Sequence, residues 1–127
     1  MRVVDIDHQV RYWREGAREE WEVAGELLEK GRARHALFFA HLAIEKALKA
    51  RVCRRTRDLA PRTHNLVRLA EFAGLTLEPE RLRVLTDLNA YAQAGRYPEG
   101  PGPTLASEEA ERRINAAGEV FQWLINE

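Results

Sequence analysis

Between His35 and Arg51 the chain reads HALFFAHLAIEKALKAR, a segment that is apolar on nearly every side of a helix. Ala36, Ala40, Ala43, Ala47 and Ala50, with Ala33 just before them, recur at spacings of three or four. They form a flat ridge on which another helix can approach closely. Leu37, Phe38, Phe39, Leu42, Ile44 and Leu48 cover most of the remaining circumference. Such a helix is either central in its domain or faces a second subunit as well. In a small bundle one helix rarely has neighbours on all sides, so the pattern favours a homodimer through this helix.

The rest of the chain supplies helices to surround it. Strand alternation is absent, and alanine, leucine, glutamate and arginine dominate. A first helix is expected from about His8 to Lys30, capped by Asp5 or Asp7 and stopped by Gly31. Its apolar stripe is Val10, Trp13, Ala17, Trp21, Ala24 and Leu28. The second helix runs from about Arg32 to Arg54, followed by a polar loop closed by Pro61. Thr63 is expected to cap a short third helix, HNLVRLAEFA, ending at Gly74. A fourth spans about Pro79 to Ala94, with Leu82, Leu85, Leu88, Asn89 and Ala92 near one face. Pro98, Pro101 and Pro103 keep the next stretch out of helix or central strand. Ser107, with Glu108 and Glu109, starts a last helix carrying Ile114, Ala117, Phe121 and Leu124. Short connections favour antiparallel neighbours, so the fold class is all-α: an up-and-down four-helix bundle with one additional short helix, in a single domain over residues 1–127.

Charge excludes more than it assigns. Basic and acidic residues number twenty each, so no whole-molecule field draws in nucleic acid or membrane. Locally, however, the stretch from Glu45 to Arg68 holds eight basic residues against two acidic ones. Lys46, Lys49, Arg54 and Arg55 within it are candidate phosphate-binding residues. Glu45 and Lys49 stand four apart in the favourable order, a pair that reads equally well as a solvated helix end. Cys53 is alone, which leaves no disulfide framework or cysteine metal site in one chain. His35 and His41, six apart, fall on different helix faces, so no metal site and no cofactor is expected. With no apolar run near the roughly 20 residues that span a bilayer, the expected location is cytoplasmic.

Three pieces, in this order and spacing, resemble one family. They are AIEKALKA on the second helix, the THNL start of the third, and RYP after the fourth, within a likeness running from about Gln9 to Phe121. The chain resembles the HEPN domains (higher eukaryotes and prokaryotes nucleotide-binding). The resemblance implies an all-helical bundle that often dimerises and is frequently encoded beside a small nucleotidyltransferase, with which it forms a toxin–antitoxin pair. It also implies, for many members, a metal-independent ribonuclease built on an arginine followed after four to six residues by a histidine. In that chemistry a histidine moves the 2′-hydroxyl proton and an arginine fork stabilises the phosphorane charge.

Arg2 with His8, Arg34 with His41 and Arg57 with His64 match that spacing formally, but the family's arginine corresponds to Arg96, and there the positions of the histidine are Pro101, Gly102 and Pro103. Catalysis would then need a rearranged pair, Arg96 with His64. In a Pro/Gly-rich loop, Arg96 can also hold a phosphate while Tyr97 or Tyr91 stacks on a base, or it can pair with Glu45 to pin the loop. Three readings follow: a dimeric binding module for nucleotide or RNA phosphate that partners a nucleotidyltransferase, a rearranged ribonuclease, or a structural dimer without ligand.

Overall fold

A computed structural model describes residues 4–94 and 106–126 of the chain. Six helical segments make up the described residues, with no strand among them: α1 Ile6–Glu29, α2 Ala33–Thr56, α3 Leu66–Phe72, α4 Pro79–Asn89, α5 Tyr91–Ala94 and α6 Ser107–Ile125.

The first helix starts where Asp5 accepts a hydrogen bond from the His8 N–H at 3.0 Å. It ends at Gly31, whose φ of +76° lets the Arg32 N–H return to the Leu27 carbonyl at 2.9 Å. The chain then turns back, and α2 runs antiparallel to α1, alanine against alanine. Ala17 and Ala24 of α1 and Ala36, Ala40 and Ala43 of α2 are all fully buried. Trp21 crosses from α1 to α6, where its ring stacks on Phe121 at 5.0 Å between centroids and closes against Gly118.

All five other helices pack against α2. Phe38, Phe39 and Leu42 of α2 nevertheless remain partly exposed. α3, α4 and α6 close the side away from α1, and the core runs through Ile44, Leu48, Leu66, Leu69, Leu85, Leu88, Ile114 and Leu124.

Two expectations about element ends and one about a buried face need correction. The cap of α3 is Asn65, not Thr63: the Asn65 carboxamide oxygen accepts from the N–H groups of Val67 and Arg68 at 3.0 and 3.3 Å. Thr63 instead accepts from the Asn65 N–H at 3.2 Å, so His64 lies in the approach to the helix. The fourth predicted helix divides at Ala90, whose N–H turns tightly back to the Asp87 carbonyl at 3.3 Å. Its buried face is Val84, Leu85, Leu88 and Tyr91, whereas Leu82 is 42 % exposed. No helix among the described residues is long and apolar enough to cross a membrane.

Candidate functional site

The middle of α2 carries His41, Glu45 and Lys49, one per helical turn on one face, and all three are buried. Glu45 is only 4 % exposed and Lys49 7 %, so this stretch is not the solvated helix end that the spacing alone allows. Burial of that kind demands partners. Lys49 donates to Glu45 Oε2 at 3.0 Å, and its ammonium sits 5.1 Å from the centre of the Trp13 ring of α1. His64 reaches the same carboxylate from outside, its Nδ1 at 3.0 Å from Oε1 and 3.1 Å from Oε2. An ionised carboxylate only accepts, so Nδ1 carries the proton and donates. The His64 side chain remains half exposed.

Two asparagines fasten the first turn of α3, just after His64. The Asn89 carboxamide oxygen, at the end of α4, accepts from the Leu66 N–H at 3.0 Å, and its nitrogen donates to Asn65 Oδ1 at 3.1 Å. The last residue of α4 thus pins the first turn of α3. Around this junction His64, Asn65, Asn89, Ala90 and Ala92 line an open depression of about 350 Å³.

His41 completes the cluster from beneath. It is 2 % exposed, its Nδ1 stands 3.8 Å from Glu45 Oε1, and its Nε2 is buried without a hydrogen-bond partner. Burial pushes its proton affinity below the ordinary value of 6.5, against the opposing pull of Glu45. Below that value the unfolded chain binds a proton that the folded chain refuses. Stability therefore falls as pH drops through the window below 6.5, by up to about 1.4 kcal/mol per pH unit from this group. Urea unfolding across that window should show the loss, and His41→Asn should flatten it.

The expected basic face is dispersed instead. Lys46 donates to Glu20 of α1 at 2.8 Å, and Lys49 belongs to the buried pair. Arg51 caps the end of α6 through the carbonyls of Leu124 and Trp123, joined by Arg14 on Ile125. Arg55 lies so closely over Gly74 that a side-chain carbon there would run into its guanidinium. Arg57 pairs with Asp7, and Arg68 faces the Phe72 ring. Arg54 is exposed at the end of α2. Tyr91 is 1 % exposed, so burial removes it as a base-stacking surface. Arg96 and Tyr97, with the proposed Arg96–Glu45 pair, lie outside the described residues. The Lys49 ammonium occupies one side of Glu45, and the described residues hold no group of three or more His, Cys, Asp or Glu side chains placed to bind a metal ion.

The structure brings Glu45, Lys49 and His64 together and adds His41 and Asn89, which the sequence pattern does not mark as site residues. For His41 a signal was present: it stands one helical turn before Glu45.

Among solved structures, TT1696 from Thermus thermophilus shares 25% identity and superposes with a TM-score of 0.73, over 91% of this chain and 95% of that one. ST0689, described as an archaeal HEPN homologue, shares 26% identity with a TM-score of 0.69, over 91% of this chain and 93% of that one. No curated protein matches the chain. The HEPN domain model matches residues 10–127, which takes in every helix from α2 onward and most of α1. The chain belongs to the HEPN domain family.

Proposed function

We propose that the protein binds the phosphate of a nucleotide or RNA at the depression beside His64. The observation that carries this reading is the buried Glu45 carboxylate on His64 Nδ1, which fixes the ring of a half-exposed histidine. A histidine oriented in this way acts through its other nitrogen, Nε2, as a proton donor to an anion or an acceptor from a hydroxyl. Arg96 is the natural second contact. Ala92 lines the depression, and the four residues from there to Arg96 reach at most about 14 Å. Tyr97, next in the chain, would stack on the base.

Binding of ATP and of a single-stranded RNA oligonucleotide tests the reading. His64→Ala and Arg96→Ala should each weaken binding about ten- to a hundredfold, as expected for a lost charge-assisted hydrogen bond. Binding unchanged in both variants would refute it.

The Glu45–His64 contact also favours a second reading, a metal-independent endoribonuclease. A base oriented by a carboxylate is the arrangement that proton transfer from a 2′-hydroxyl requires, with Arg96 stabilising the phosphorane. Cleavage of RNA in EDTA that disappears in both variants would establish it. Homodimerisation, a small nucleotidyltransferase partner and a toxin–antitoxin role extend the proposal on the strength of family membership. Co-purification with the neighbouring gene product and sedimentation of the purified protein test the first two.

A further inference from the structure

Asn65 caps α3, and most of its polar atoms are spent inside the protein. Its backbone N–H donates to Thr63 Oγ1 at 3.2 Å, and its carbonyl accepts from the Leu69 N–H at 3.0 Å. Its carboxamide oxygen accepts three hydrogen bonds. Two come from the Val67 and Arg68 N–H groups at 3.0 and 3.3 Å, and the third from Asn89 Nδ2 at 3.1 Å. Three donors converging on Oδ1 fix which way round the amide lies. None of these bonds uses the amino group, Nδ2.

Capping alone does not require that group. An N-cap needs an oxygen, which aspartate or serine supplies as well, and beside the positive end of a helix a carboxylate has the electrostatic advantage. What asparagine adds is an N–H donor without negative charge. That donor belongs to an exposed residue lining the depression of about 350 Å³, next in the chain to His64. The backbone donors of the first turn of α3 are already committed: Leu66 gives its N–H to Asn89 Oδ1 at 3.0 Å, and Val67 and Arg68 give theirs to Asn65. A ligand in the depression therefore meets side chains, a histidine ring held by Glu45 and an amide held by Asn89. Both are fixed before anything binds, which spares the ordering cost of a loose side chain.

We propose that Asn65 is a further ligand-binding residue of this depression, its Nδ2 donating to a phosphate oxygen of the nucleotide or RNA bound at His64. The contact rests on the phosphate reading of the same depression. It adds a donor whose charge does not change with pH, beside a histidine whose charge does.

Asn65→Ser and Asn65→Asp test the contact, because both keep a capping oxygen and remove the amino group. Urea unfolding should place both within about threefold of the parent's unfolding equilibrium. ATP and a single-stranded RNA oligonucleotide should bind Asn65→Ser about three- to tenfold more weakly than the parent, the effect of one neutral hydrogen bond. Asn65→Asp should bind more weakly still, since its carboxylate faces the phosphate. In the parent itself, the side-chain amide signals of Asn65 in NMR spectra should shift on saturation with ATP, a readout that depends on no variant folding. Serine that binds as tightly as the parent would overturn the contact even if aspartate did not, because charge alone would then explain the aspartate. Amide signals that stay in place at saturation would overturn it too. If binding still fell in His64→Ala, either result would strike Asn65 and leave the phosphate reading standing. A parent that binds neither ATP nor the RNA refutes the reading and the contact together.

Discussion

Replacing Glu45 with alanine is expected to cost about 3–5 kcal/mol of stability and to release His64 from its fixed orientation. The size of the effect follows from what remains. Lys49 would keep its ammonium buried at 7 % exposure, with the Trp13 ring beside it and no carboxylate in reach of the old contact. Removing one partner of a buried pair leaves an uncompensated charge, a far larger penalty than losing an exposed pair of the same spacing. Against a total stability of about 5–15 kcal/mol, this one change consumes a large share. Glu45→Gln separates the two consequences. It retains the shape and one acceptor but loses the charge, so it should leave more protein folded while still weakening the hold on His64. Chemical denaturation gives the stability, and the ring resonances of His64 by NMR report its freedom. An alanine variant as stable as the parent would mean that Lys49 escapes to solvent, and that the carboxylate is not the centre of the cluster.

The helical architecture could be read from the sequence because its signals are local. The alanine ridge of α2 and the glycines that end α1 and α3, at φ +76° and +71°, act within a few residues of themselves. The cluster at Glu45 was only half legible. Four-residue spacing shows that Glu45 and Lys49 meet, but it does not tell how deep they lie; that depends on Trp13 from α1 and His64 from the approach to α3. The same limit explains the basic stretch. Counting arginines from Glu45 to Arg68 cannot reveal that Arg51 turns to the end of α6 or that Lys46 faces Glu20, because those partners lie far away in the chain. Asn89 shows the reverse case. Helical periodicity placed it on a packing face, whereas its carboxamide clamps α3 through two hydrogen bonds and ends α4.

Tyr91→Ala is expected to destabilise the protein by about 3–5 kcal/mol, as for other large aromatic truncations in a core. It is a fully buried side chain at 1 % exposure, in α5, a segment of only four residues that packs on α2 and α4. So short a helix has no stability of its own, and its position rests on what it buries. The polar surroundings reinforce the point: burial raises the phenol's proton affinity, opposed by Arg113 and assisted by Asp87 and Glu109. Without the ring, the wall of the depression formed by Ala90 and Ala92 loses its anchor. Tyr91→Phe keeps the packing, so it should retain both the fold and phosphate binding to within a few-fold. The measurement is thermal unfolding of the three proteins beside ATP binding. If Tyr91→Phe lost binding while remaining as stable as the parent, the hydroxyl would be acting on the ligand, and Tyr91 would be more than an anchor. If Tyr91→Ala unfolded and Tyr91→Phe bound normally, the residue's part is to fix α5 against α2, which positions the proposed phosphate site without touching it.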